Sequence, residues 1–195
     1  MPSHTNPPSR QRLLASALEL FQRHGIQATT VAMLTEHSGV QAAPMMYRHF
    51  GSKDGLIVAA TDAWDAQFRA RLADALAAQD TPRAKLLAIF WFVEGWLAEH
   101  QWRGWLVADA AMELAEATTH DVHQVVARHR HAIRALLDDL TAAAGARDPA
   151  ALAEQVQVLL DGAMIGAILD RSPAPIRAAR AQAELLLAAA GAADQ

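Results

Sequence analysis

The chain contains no cysteine. That excludes disulfides, thiolate catalysis and cysteine-based zinc sites. Aromatic residues are scarce, 6% of 195 residues, although five of them are tryptophan. Runs of β-branched residues are few, so sheet is not expected. No stretch of about 18 uncharged apolar residues stands out as a bilayer span. The nearest, residues 84–98, is too short and contains Lys85 and Glu94. The opening MPSHTNPPSRQR has no hydrophobic segment and does not read as a signal peptide. The expectation is a soluble, cytoplasmic protein with no membrane partner, whose residues 1–8 form a disordered lead-in.

Alanine dominates, and hydrophobic residues make up 52% of the chain. Alanine and leucine carry the lowest cost of entering a helix, so an all-α protein is expected. The net charge of −4 is unevenly spread. Residues 1–55 hold five Lys/Arg against three Asp/Glu, a net of +2, and residues 56–195 hold twelve against eighteen, a net of −6. Phosphate attraction is local, so an acidic remainder does not forbid nucleic-acid binding at the positive end.

Apolar periodicity and helix breakers divide the chain into about nine helices. The first runs from 9 or 10 to 24, where Gly25 stops it. The second starts at a Thr29 or Thr30 cap and ends at Gly39. The third covers 42 or 43 to 49. The others are expected at 52–77, 82–99, 102–116, 119–144, 149–170 and 173–190. Residues 29–56, TTVAMLTEHSGVQAAPMMYRHFGSKDGL, carry the most information. They read as two short helices joined at Gly39-Val40, followed by Tyr47, Phe50 and a Ser52-Lys53 helix start. That is the layout of a helix-turn-helix reader of duplex DNA. Val31, Leu34 and Thr35 are expected to face inward, Val40 to plug the small core, and Met46 and Phe50 to fill it.

These residues resemble the TetR family of transcriptional regulators. The matching features are Leu18-Glu19-Leu20-Phe21, Gly25, Ala28-Thr29-Thr30-Val31, Leu34, Gly39-Val40, Tyr47, His49-Phe50 and Ser52-Lys53 with Leu56. The resemblance implies a DNA-binding domain over 9–55 and a helical effector-binding and dimerisation domain over 56–195. It also implies a homodimer that represses nearby genes from a palindromic operator on double-stranded DNA, released by a small molecule. Two departures stand out. Six residues, 41–46, separate Val40 from Tyr47 where the family usually has five, and the extra one is placed at Gln41. Ala42, Ala43 and Pro44 occupy positions where the family often has polar residues.

A helix in the major groove reads base edges with polar side chains and thymine methyls with apolar ones. Ala43 and Met45 suit methyls, and Gln41 and Arg48 are the hydrogen-bonding candidates. Tyr47 and Lys53 match the family's phosphate-contacting tyrosine and lysine. His49 either contacts phosphate or supports the helix, and Thr30 can offer its amide or hydroxyl to phosphate. Arg10 and Arg12 are within reach of the backbone or minor groove. Other readings stay open: Tyr47 as core, Arg48 as a solvated charge or phosphate clamp, Gln41 as a turn residue.

Four of the five tryptophans, Trp91, Trp96, Trp102 and Trp105, fall within fifteen residues. With Met112, Glu113 and His123 they are candidates to line a site for a partly hydrophobic or aromatic effector. Large rings filling gaps between small-residue helices are the competing explanation. Leu152, Val156, Leu159, Ala163, Gly166 and Leu185 are the expected dimer contacts, in a symmetric four-helix arrangement. No cofactor and no enzymatic activity are expected. His120 and His123 share a helical face, but a zinc site needs further ligands and no His-Glu-x-x-His pattern is present. The alternatives are a constitutive DNA-binding regulator without an effector and a helical protein-interaction module.

Overall fold

A computed structural model describes residues 8–103, 105–114 and 120–192. Among the described residues there are nine α-helices: α1 Ser9–His24, α2 Val31–Ser38, α3 Ala42–Phe50, α4 Lys53–Ala77, α5 Pro82–Glu99, α6 Leu106–Glu113, α7 His120–Ala143, α8 Pro149–Asp170 and α9 Ala174–Ala189. The all-α expectation holds. Contacts divide the chain into two compact units, residues 1–66 with 104–127, and residues 67–103 with 128–195.

Local chemistry sets the helix starts. Thr81 accepts the Ala84 N–H at 3.1 Å ahead of Pro82, and Asp148 accepts the Ala151 N–H at 3.1 Å ahead of Pro149. A side-chain acceptor at the cap followed by proline satisfies one orphan amide and removes another, so α5 and α8 span the residues the sequence predicts. The helix expected from 102 begins instead at Leu106. Gln101 and Trp102 have φ of 56° and 59°, and the Trp102 N–H closes back onto Leu97 O at 2.7 Å. Left-handed backbone at two consecutive positions ends one helix without starting the next. The expected helix ends at 116 and 119, and the lead-in before Pro8, lie outside the described residues.

In the first unit α1, α2 and α3 pack pairwise around Leu13, Ala17, Phe21, Ile26, Leu34, Ala42 and Met46, all buried. Trp64 of α4 is fully buried and meets Trp105 edge-on, with centroids 5.2 Å apart. Thr35 is exposed rather than inward, and Phe50 is only half-buried.

In the second unit α8 lies along α9, and α5 packs on both. Gly166 lets the helices approach closely, since a Cβ there would stand 3.0 Å from Pro175 Cβ. α8 carries Glu154 and Asp161, so it is not an uncharged run. That helix is long and apolar enough to cross a bilayer, with mean hydropathy 1.4 over its best window, of which 44% is buried.

The same helix corrects the expected dimer contacts. Leu152, Val156 and Ala163 are buried within the chain itself, because the most apolar face of α8 is taken by its own neighbours. Leu159 and Gly166 are half-buried, and Leu185 is exposed. The uncovered face of α8 is Ala151, Gln155, Val158, Gly162, Ile165 and Leu169. Their alternating spacing of four and three keeps them on one seam. Ala174, Ala178, Ala181, Leu185 and Ala188 form a similar exposed line on α9.

Candidate nucleic-acid interface

The α2–α3 corner is held by short polar side chains. The Thr30 hydroxyl caps α2 by accepting the Met33 N–H at 3.2 Å. Gly39 ends that helix in the left-handed region, φ 63° and ψ 21°, where a Cβ is disfavoured. Thr35 Oγ1 donates to Val31 O at 2.9 Å and accepts the Ala42 N–H at 3.2 Å, fastening α2 to the first residue of α3. The Ser38 hydroxyl accepts the Val40 N–H at 3.3 Å. Val40, half-buried, and Gln41 form the remainder of the turn, with Gln41 as the residue preceding α3.

Side chains from α1 and α4 fix the reading helix and its support. His49 is half-buried, with its Nε2 3.2 Å from Ser9 Oγ. The Arg10 guanidinium lies over the Phe50 ring, 5.1 Å from its centroid. His37 bridges Ser16, at 3.0 Å, and Glu19, at 3.3 Å. Lys53 Nζ donates to Thr29 O at 2.8 Å, tying α4 to the residue before the α2 cap. Ser52 accepts the Gly55 N–H at 3.0 Å and so caps α4.

Ala42 and Met46 turn into the core, His49 and Phe50 are half-buried against α1, and Pro44, Tyr47 and Arg48 face outward. Tyr47 is 66% exposed, which removes the core-packing alternative for it. Arg48, Gln41 and Thr30 are exposed, and Ala43 and Met45 are half-buried. Pro44, not among the expected DNA contacts, is also exposed, three residues after Gln41 and four before Arg48. At that helical spacing Gln41, Pro44 and Arg48 share one face. The result is a short helix on a rigid base, showing one aromatic hydroxyl and one guanidinium.

The family described as bacterial regulatory proteins, tetR family, matches residues 13–60, which enclose α2, α3 and the start of α4. The chain is 26% identical over 181 residues to the HTH-type transcriptional regulator BetI of Rhizobium meliloti, covering 91% of this chain and 87% of that protein. A TetR-family transcriptional regulator from Streptomyces coelicolor superposes with a TM-score of 0.85 at 26% identity, over 96% of this chain and 92% of that one. Residues 13–60 carry the DNA-binding domain of the tetR family, and the chain has the fold of TetR-family regulators. It is a DNA-binding regulator of transcription and not an enzyme. The HTH-type transcriptional repressor ComR of Escherichia coli is 39% identical over 62 residues, 32% of this chain and 29% of that protein.

The tryptophans are divided between the two units. Trp105 is in the first unit against Trp64. Trp96 is buried in the second unit, edge-on to Phe68 at 5.1 Å, and stacked on His100 at 4.8 Å. Phe68 also meets Phe92, at 5.1 Å, and His129, at 5.5 Å. The Arg71 guanidinium covers Trp96 at 4.9 Å and bonds Glu99 Oε2 at 2.6 Å, holding that carboxyl below its ordinary range. Trp91 is exposed on α5 under Arg180, at 4.5 Å, and Trp102 is half-exposed. Met112 and His123 are exposed.

Glu113 takes a position the sequence does not suggest. Its carboxylate accepts the N–H groups of Gln27, at 2.8 Å, and Ile26, at 3.3 Å, in the turn between α1 and α2. One helical turn earlier, burial and then the Glu113 charge push the Asp109 carboxyl up to about 6. The folded state therefore binds this proton more tightly than the unfolded chain. The associated stability is present below about pH 4 and lost as pH rises through about 6. Asp109→Asn is expected to stabilise the protein at pH 8 by ~1–2 kcal/mol, allowing for solvent screening of a half-buried group. The gain over wild type should vanish toward pH 4. Melts that shift equally at both pH values would contradict the assignment.

Proposed function

We propose that the protein is a repressor that binds a palindromic operator as a homodimer, with α3 in the major groove, and is released by a partly hydrophobic or aromatic small molecule. The exposed Tyr47 and Arg48 on an otherwise anchored α3 carry this reading. Tyr47 and Lys53 act on phosphate, Thr30 and His49 support that contact, and Gln41, Ala43, Met45 and Arg48 face base edges. The exposed seams on α8 and α9 support a second copy as the covering partner. They replace Leu152, Val156 and Ala163 with Val158, Gly162, Ile165 and Leu169 beside Leu159, Gly166 and Leu185. Two readers on one dimer address half-sites about 34 Å apart along the duplex.

The Phe68, Phe92, Trp96 and His129 cluster supplies aromatic chemistry in the second unit, but Trp96 is buried among its neighbours. That packing favours a second reading, a constitutive regulator whose tryptophans only fill space. An effector that acts must prefer one conformation over the other, since equal affinity for both shifts nothing.

The test is titration of the purified protein against duplex DNA from its own upstream region, with scrambled DNA of equal length as control. Selective, salt-sensitive binding is expected. Tyr47→Phe should then weaken binding to every variant operator alike, because phosphate contacts position without specifying. Arg48→Ala should change preference at one or two positions, each by ~1–3 kcal/mol. A uniform loss across a mutated-operator panel would reassign Arg48 to phosphate.

A further inference from the structure

We infer that Glu113 is a positioning residue of the DNA reader, whose carboxylate holds the α1–α2 turn by accepting two consecutive backbone N–H groups. This rests on the DNA-reading function proposed above. The turn leaves the Ile26 and Gln27 amides outside any helical ladder, between the end of α1 at His24 and the start of α2 at Val31. A carboxylate is a strong acceptor for such amides, and a bond to a charged acceptor is about twice as strong as a neutral one. The Glu113 oxygens lie 2.8 Å from Gln27 N and 3.3 Å from Ile26 N. A third strap runs the other way, from Gln27 Nε2 to the Glu113 backbone carbonyl.

The turn itself is shaped to admit this carboxylate. Gly25 has φ 88°, and a Cβ added to it would stand 2.9 Å from Glu113 Oε1. Beyond the clamp the chain leads straight to the reader. Thr29 Oγ1 donates to Gly25 O at 2.7 Å, Lys53 holds Thr29 O, and Thr30 caps α2. The residues between Gly25 and Thr30 are thus gripped by α6 at one end and by α4 at the other. Releasing the α6 end frees the start of α2, and with it the base on which α3 stands.

The experiment compares wild type, Glu113→Gln and Glu113→Ala. Amide hydrogen exchange is read residue by residue in the free protein. Affinity is read on a duplex recovered from random sequence by the wild-type protein. Glu113→Ala should speed exchange at Ile26 and Gln27 about tenfold or more while interior amides of α1 keep their protection. It should also lower duplex affinity about tenfold. Glu113→Gln, which keeps one carbonyl acceptor, should fall between. Unchanged exchange at the two amides overturns the clamp, and so does protection lost evenly across α1 and α2, which would be general loosening. Faster exchange with wild-type affinity overturns the positioning role. If wild type recovers no preferred duplex, the DNA-reading function fails and the positioning role with it, while exchange still decides the clamp.

Discussion

Aspartate at Val158 and Ile165 together is expected to separate the proposed homodimer into monomers and to weaken operator binding more than a hundredfold. The two residues are 64% and 43% exposed and lie seven apart on α8, so they share one face. Neither contributes to the buried side of α8, where Leu152, Val156, Leu160 and Ala163 pack. The single-chain fold should therefore survive, with helix content unchanged. In a symmetric contact each charge meets its own copy or lies close to it, and an unpaired carboxylate in an apolar seam costs several kcal/mol. Loss of the second reader then removes an effective-concentration advantage of about 10²–10⁴ in affinity. Sedimentation with operator titration measures both effects. A variant that stays dimeric with wild-type affinity would place the interface elsewhere.

Gly25→Ala is the second large effect. Gly25 has φ 88° and ψ 162°, a region open essentially to glycine alone. Alanine also pushes its methyl to within 2.9 Å of a Glu113 oxygen, so backbone strain and clamp loss fall on the same turn. Together these are expected to cost ~2–4 kcal/mol, a drop of roughly 5–10 °C in Tm for a chain of this size. Gly39 offers the contrast. Its φ 63° and ψ 21° lie in the ordinary left-handed region that asparagine also enters. Gly39→Asn should therefore cost under about 1 kcal/mol. Equal melting of the two variants would remove the backbone argument at Gly25.

The parts of the fold visible in the sequence are those governed by neighbours in the chain. Thr81-Pro82 and Asp148-Pro149 announce their helices because cap and proline act over a few residues. Gly39 marks the reader's turn for the same reason. The rest depends on contacts between distant residues. Trp102 carries no local sign that its backbone turns left-handed, so α6 begins four residues later than its apolar pattern suggests. Hydrophobicity alone does not separate Leu152 and Val156 from Val158 and Leu169, because it does not say which neighbour takes them. Only the phase of burial separates the core seam from Val158, Ile165 and Leu169. The exposure of Tyr47 and Arg48 is legible because the helix-turn-helix fixes their orientation locally. Glu113 is not, since its partners are 86 and 87 residues away.

Tyr47 is the only tyrosine in the chain and stands exposed on the reading helix. A fluorinated tyrosine incorporated biosynthetically would thus put a single reporter nucleus on each chain, at the surface proposed to meet phosphate. One resonance would follow the reader without assignment of the other residues. Its splitting on half-saturated DNA would distinguish two equivalent readers from one engaged and one idle.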